Sequence, residues 1–196
     1  MKSINQIASR LKWRTPAILP IDDHRASVAA VLSENAGVLE LLFIERATIK
    51  NDPWSGHIAF PGGHKEDIDA GVRETAERET LEELGLDLGT GRYLGQLDDL
   101  SAHIAAINVS GFVYHIERVD HFMCSQEVHR AFWFPVQSLA DHSRYRSYKV
   151  PEENPARHVP AIDLLGPGHK VLWGLTYRFV TQLLEIADVK LPKHYI

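Results

Sequence analysis

Apolar residues recur along this chain with two different periods, and the switches between them divide it into elements. Ile4, Ile7, Ala8 and Leu11 lie at helical spacing, which predicts a short amphipathic helix over residues 3–12, ended before Pro16 and Pro20. Residues 26–32 and 38–44 are apolar and β-prone, and Glu34-Asn35-Ala36-Gly37 between them reads as a turn joining two strands. Residues 48–56 form a loop, 58–60 a short strand, and Pro61-Gly62-Gly63 stops that strand. A helix is expected over residues 70–84, with Val72, Ala76, Thr80 and Leu84 along its inward stripe and Gly85 ending it. Residues 93–100, 104–116 and 131–134 read as strands and 136–140 as a helical turn. Residues 141–170 carry many polar, Pro and Gly positions with one or two short strands. A closing helix is predicted over 171–186, carrying Leu172, Leu175, Phe179, Leu183 and Ile186. Strands interleaved with two main helices indicate one α/β domain. Its expected span is residues 26–196, with residues 1–25 an N-terminal helix and linker.

Composition narrows the class. At 196 residues, 44% hydrophobic and 24% charged, the chain can bury a globular core. A formal net charge of −5 argues against a general nucleic-acid binder, so no nucleic-acid partner is expected. It leaves a nucleotide substrate open, because a metal and a few local cations suffice for phosphate. Cys124 is the only cysteine, which excludes an intrachain disulfide and a four-cysteine zinc site. The 11 histidines are scattered without HExxH spacing, so a histidine-held metal is not expected. No run approaches membrane-helix length, and Met1-Lys2-Ser3-Ile4-Asn5-Gln6 lacks the apolar core of a signal peptide. No membrane partner is expected, and a cytoplasmic location is.

The chemistry concentrates between Gly62 and Leu86. On a helix Glu79, Glu82 and Glu83 are related by three- and four-residue steps, so their carboxylates share one patch. Hard cations such as Mg²⁺ take a few carboxylates plus water and substrate phosphates, which this patch suits. Gly62-Gly63 permits close backbone approach and can offer a carbonyl as a further ligand. Arg78 can orient the carboxylates through forked hydrogen bonds. A solvated charged face also fits: Glu74–Arg78 and Arg78–Glu82 are opposite-charge pairs at i, i+4. Against it, Glu79–Glu83 is a like-charge pair that costs about 0.2–0.5 kcal/mol without a cation between them. Spacing alone leaves the charged face slightly ahead. Trp54, Phe112, Tyr145 and Tyr148 offer rings that stack on a base, although core packing is the better expectation for each taken singly.

The segment Gly62-Gly63 … Asp69 … Arg78-Glu79-Thr80-Leu81-Glu82-Glu83-Leu84-Gly85-Leu86 resembles the Nudix box, Gly-x5-Glu-x7-Arg-Glu-U-x-Glu-Glu-x-Gly-U, with U a bulky apolar residue. Phe60-Pro61-Gly62-Gly63 is similar to the turn that opens the box. Asp69 stands at the first Glu position, one extra residue separates it from Arg78, and Thr80 stands at a U position. The longer loop resembles the coenzyme A diphosphatase branch, as do Leu97-Asp98-Asp99 and Leu172-Trp173-Gly174-Leu175-Thr176. Upstream, Leu42, Arg46, Ala47, Gly56 and Phe60 to Gly63 match that branch's pattern, while Ile44 replaces a Thr and Asn51 an Arg. Glu127 resembles the acid that many Nudix enzymes place before a Trp-x-Pro strand, here Trp133-Phe134-Pro135. It is equally well read as a surface glutamate in a loop.

The resemblance covers roughly residues 26–186 and implies an α/β/α sandwich with a mixed sheet. It implies a hydrolase of a nucleoside diphosphate linkage that uses Mg²⁺ or Mn²⁺. Coenzyme A or a derivative is the first expected substrate; a dinucleotide, ADP-ribose or nucleotide sugar is the alternative, and a ligand-binding domain without turnover a third reading. Glu79 and Glu83 are the implied principal metal ligands, with Glu82 a third ligand or orienting base and the Gly62 carbonyl a further ligand. Arg78 supports them, and Glu127 completes the metal site or acts as general base. Arg46, Phe60 and Gly63 are expected at the substrate. A homodimer is left open.

Overall fold

The computed structural model describes residues 3–20, 25–50, 54–102, 107–150 and 157–190. The N-terminal helix α1 (Ile4–Trp13) starts with a reciprocal cap, Ser3 Oγ accepting from the Gln6 N–H while the Gln6 side chain accepts from the Ser3 N–H. It buries Ile4, Ile7, Ala8 and Leu11, the four residues whose spacing predicted it.

Among the described residues the central sheet is mixed and eight-stranded. Strands β1 (Arg25–Asn35) and β2 (Val38–Arg46) form an antiparallel hairpin through Ala36 and Gly37, both at positive φ. The two then diverge. Strand β3 (Ile58–Ala59) pairs with the far end of β2, and β4 (Gly62–His64) pairs with the near end of β1. Pro61-Gly62-Gly63 therefore does more than stop a strand. Gly62 and Gly63 have little β propensity, but the backbone of β1 at residues 26–28 needs a partner where β2 has left it.

On its other side β1 runs parallel to β7 (Ile107–His115) over residues 25–32, and β7 pairs antiparallel with β5 (Arg92–Gln96) and β6 (Leu100–Ala102). The predicted strand 93–100 is thus two strands, separated by residues 97–99. Residues 103–106, where the next predicted strand begins, lie outside the described residues. Strand β8 (Val128–Pro135) closes the sheet against β2 and begins three residues earlier than expected. Residues 136–140 form a 3₁₀ turn, and β9 (Tyr145–Lys149) pairs with β10 (His158–Ile162) in a separate small sheet.

Helix α2 (Val72–Leu84) packs on one face of the sheet, and α1 and α3 (Gly174–Ile186) on the other. Residues of β1 alternate between the two cores: Ala26, Ala30 and Leu32 face α1 and α3, while Ala29 and Val31 face α2. That two-sided burial explains why the strand reads as a continuous apolar run. The segment before β1 is tied to the same body by a buried ion pair. Arg25 is paired with Asp99 and bonded to Ser110 Oγ at 2.6 Å, and Asp99 accepts the Leu19 N–H at 2.9 Å.

Two helix starts differ from the periodicity. Helix α2 begins at Val72 because Asp69 folds a turn of its own, accepting the Glu66 N–H at 2.9 Å. Helix α3 begins at Gly174, since Leu172 exchanges two 2.8 Å backbone bonds with Ile162. The inward stripe of α2 is as expected at Ala76, Thr80 and Leu84, with Val72 half-buried and Thr75 and Glu83 added. Gly85 ends α2 in the left-handed region at φ 65°, its N–H donating to the Leu81 carbonyl at 2.8 Å. Thr80 is wholly buried where an apolar residue was expected, and its hydroxyl donates to the Ala76 carbonyl at 2.7 Å. Among the described residues no helix is long and apolar enough to cross a membrane.

Candidate active site

The site is assembled where α2 crosses β4. Both glycines are needed there, Gly62 for its approach to β1 and Gly63 for its approach to α2. A Cβ at Gly62 would overlap the Ser27 carbonyl oxygen, and the residue sits at φ +149°. A Cβ at Gly63 would lie 2.5 Å from Cδ of Glu79, so the Glu79 carboxylate rests directly on that backbone.

Arg78 organises the acids around it. Its Nε–H donates to Asp69 Oδ1 at 2.8 Å and one terminal N–H to Asp69 Oδ2 at 3.0 Å. The guanidinium also donates to the His64 carbonyl at 3.0 Å, meets Glu82 at 2.9 Å and lies 3.0 Å from Glu79. Asp69 is 7% exposed and further accepts the Thr75 hydroxyl at 2.9 Å. The Arg78 fork, with the Glu66 N–H and Thr75 hydroxyl, holds Asp69 down at about 2. The Asp69 carboxylate raises the pKa of Arg78 in return. Asp69 thus grips the box arginine from a loop one residue longer than the general pattern.

Glu83 differs from its neighbours. It is 4% exposed, and one carboxylate oxygen accepts the Gly62 N–H at 2.9 Å. Burial pushes it up to about 7; Glu79 and Glu127 act in the same direction, while the Gly62 N–H and Arg46 oppose. Burial raises Glu79 as well, against Arg78. These mutual influences place Glu79, Glu83, Glu127 and Arg46 in one electrostatic neighbourhood.

Glu127 arrives there by backbone stitching. The Ser125 N–H donates to the Glu83 carbonyl at 2.8 Å, and the Ala47 N–H donates to the Glu127 carbonyl at 2.7 Å. The turn before β8 is thereby fastened to both α2 and the end of β2. Nothing in the local sequence signals those two bonds.

Phe60, expected at the substrate, is 2% exposed and stacks on Phe43 in the core, with ring centroids 5.3 Å apart. Asn51 lies outside the described residues. Ile44 is buried in the core beneath α2. Phe112 is buried, and Tyr145 spends its hydroxyl on the Leu139 carbonyl at 2.9 Å. Cys124 is exposed.

Among the described residues no three His, Cys, Asp or Glu side chains already converge as a metal cage. Glu79 and Glu82 are turned onto Arg78, and Glu83 onto Gly62. The donor set nevertheless fits a hard divalent cation: all donors are oxygens, and burial together with like-charged neighbours raises Glu83 toward neutrality.

The family model for the NUDIX domain matches residues 23–152. The chain belongs to the NUDIX family. Nudix hydrolases cleave pyrophosphate bonds in nucleoside diphosphate derivatives and generally use divalent metal ions. An uncharacterized Nudix hydrolase, NudL, of Pectobacterium atrosepticum is 26% identical over 188 residues, covering 95% of this chain and 96% of that protein. An uncharacterized protein of Schizosaccharomyces pombe is 34% identical over 107 residues, 50% of this chain but 32% of its own length. The chain thus spans about a third of the length of the Schizosaccharomyces pombe protein and nearly all of the Pectobacterium atrosepticum one. A MutT/nudix family protein from Enterococcus faecalis shares the fold, with a TM-score of 0.58 at 16% identity over 95% of this chain and 70% of that one.

Proposed function

We propose that this Nudix domain is a divalent-metal-dependent hydrolase of coenzyme A or a derivative, releasing phosphopantetheine and 3′,5′-ADP. The observation that carries the reading is the meeting of two sequence segments. Arg46, from the upstream stretch that resembles coenzyme A diphosphatases, lies close enough to act on the ionisation of Glu83 in the box. A guanidinium there suits an anionic substrate beside the carboxylate patch.

In this reading Glu79 and Glu83 are the principal ligands and Glu82 a third, with Arg78 and Asp69 setting their orientation. Gly62 presents its carbonyl as a further ligand. Support for this comes from the register of β4. Ala29 and Lys65 make the ladder bonds on either side, so the Val28–Gly62 pair is of the non-bonded kind and turns its polar groups away from β1. Bound Mg²⁺ or Mn²⁺ would supply Lewis-acid stabilisation of the diphosphate and a lower pKa for the attacking water. A water oxygen bonds to phosphorus as the bond from phosphorus to the bridging oxygen breaks. Its proton passes to Glu82 or Glu127, and Arg46 and the Gly63 backbone meet the phosphates. A cytoplasmic setting belongs to the same proposal.

A second reading, hydrolysis of a different nucleoside diphosphate derivative, is favoured by Ile44, whose buried alkyl chain replaces the hydroxyl of the related pattern. The deciding experiment is a hydrolysis panel of coenzyme A, ADP-ribose, NADH and nucleoside triphosphates with Mg²⁺ and with Mn²⁺. Coenzyme A is expected to be cut fastest, with loss of activity in Glu82→Gln and Glu83→Gln. Preference for another member selects the second reading, and binding without turnover the non-catalytic one. Full activity in both variants overturns the site assignment.

A further inference from the structure

Four aromatic rings meet beside the end of β2, drawn from three distant segments. Trp54 and His57 come from the loop between β2 and β3, Tyr148 from β9, and Trp173 from the residue preceding α3. Trp173 is the centre, with ring centroids 5.1 Å from Tyr148, 5.5 Å from His57 and 6.3 Å from Trp54. Trp54 and His57 meet edge-on at 5.7 Å.

Each segment is held in place for this meeting. Ser55 Oγ accepts the Ile49 N–H at 2.9 Å and donates to the Ile49 carbonyl at 2.7 Å, closing the loop that carries Trp54. Gly56, at φ +69°, turns the chain between Trp54 and His57. Val159 registers against Tyr148, and the Ile162–Leu172 backbone bonds deliver Trp173 beside it.

Core packing does not account for the cluster. Trp54 is 43% exposed, the other three rings are half-buried, and Trp54, Tyr148 and Trp173 belong to neither hydrophobic core. Its location is informative. The Arg46 N–H donates to the His57 carbonyl at 3.0 Å, and the next residue, Ala47, is bonded to Glu127. The rings therefore adjoin the end of β2 at Arg46, one residue from the bond to Glu127.

We propose that Trp54, His57, Tyr148 and Trp173 form a stacking subsite for the nucleobase of the substrate, with purines held more tightly than pyrimidines because they present more ring area. Aromatic side chains recognise the π-face of a base with little dependence on its hydrogen-bonding edge. The subsite rests on the nucleoside diphosphate reading, and equilibrium binding separates the two because it needs no turnover. Calorimetry in the presence of Mg²⁺ compares AMP with ribose 5-phosphate, which share a phosphate and differ by the base, and AMP with CMP. Wild type is expected to bind AMP more tightly than either. Trp54→Leu and Trp173→Leu should each weaken AMP by about 5- to 150-fold, with ribose 5-phosphate changed less than twofold. Trp54 lies in an exposed loop, so its variant retains the fold; unchanged thermal melting verifies this. AMP affinity unchanged in both variants overturns the proposal, as does parallel loss of AMP and ribose 5-phosphate or failure of wild type to bind AMP. Loss of AMP alone upholds it even where the hydrolysis panel shows no turnover.

Discussion

Replacing Asp69 by Asn removes one charge from the most tightly bonded acid of the box and leaves its shape nearly intact. The carboxylate takes two bonds from Arg78, one from Thr75 and one from the Glu66 N–H, and its side chain is 3% exposed. Lowering a carboxyl from 3.8 to about 2 is worth about 2 kcal/mol of folding stability, at about 1.4 kcal/mol per pKa unit. Little solvent screening is needed for a group so buried. The folded-state value lies below the unfolded one, so this stabilisation is complete above about pH 4 and disappears as the pH falls through about 2. Urea unfolding of wild type and Asp69→Asn in EDTA, at pH 7 and stepwise down to pH 3, measures it. The variant is expected to be less stable by about 2 kcal/mol at pH 7, and the gap should roughly halve by about pH 3. A gap below about 0.5 kcal/mol at pH 7, or one that does not shrink on acidification, refutes the assignment of an ionised Asp69 gripping Arg78. With Arg78 loosened from its anchor, Glu79 and Glu82 lose their orientation, so kcat should fall as well.

Glu83 carries the opposite sign. Its folded-state value, about 7, lies above the ordinary carboxylate range, so metal-free protein should lose stability as the pH rises through 7. Glu83→Gln should therefore melt above wild type at pH 8 in EDTA and match it near pH 4, while added Mg²⁺ restores wild type alone; a lower melting point for the variant at pH 8 contradicts the argument. Gly62→Ala forces a Cβ onto the Ser27 carbonyl at a left-handed φ and should cost about 3 kcal/mol or more, read as a lowered melting temperature or loss of soluble protein. Thr80→Val deletes a buried hydroxyl whose acceptor, the Ala76 carbonyl, is also met by the helix; denaturant titration should show a change within about 1 kcal/mol.

Much of the site was readable from local rules, because its parts obey short periods. Helix α2, its inward Ala76, Thr80 and Leu84 and its stop at Gly85 follow from a 3.6-residue repeat and from glycine's access to positive φ. The common patch of Glu79, Glu82 and Glu83 follows from the same repeat. Phe60 shows the limit: an aromatic in a motif reads as substrate contact, yet its position in the fold sends it into the core against Phe43. For Gly62 the sequence indicated close approach and a carbonyl ligand, but not the use of its N–H. Its N–H meets Glu83 because β4 completes β1, a pairing invisible in two glycines.

By itself, the amino-acid order determined the helices, the first hairpin, the acid patch and the family resemblance. All of these depend on neighbours within a few residues. Tertiary structure alone decided the parallel pairing of β1 with β7, some eighty residues away along the chain, and the fork that β3 and β4 fill. It alone brought Arg46 and Glu127 to Glu83, and Trp173 to Tyr148 and His57. The physical reason is that backbone pairing and burial choose their partners by the geometry of the whole sheet. An apolar run records that it will be buried but leaves unspecified what it will face.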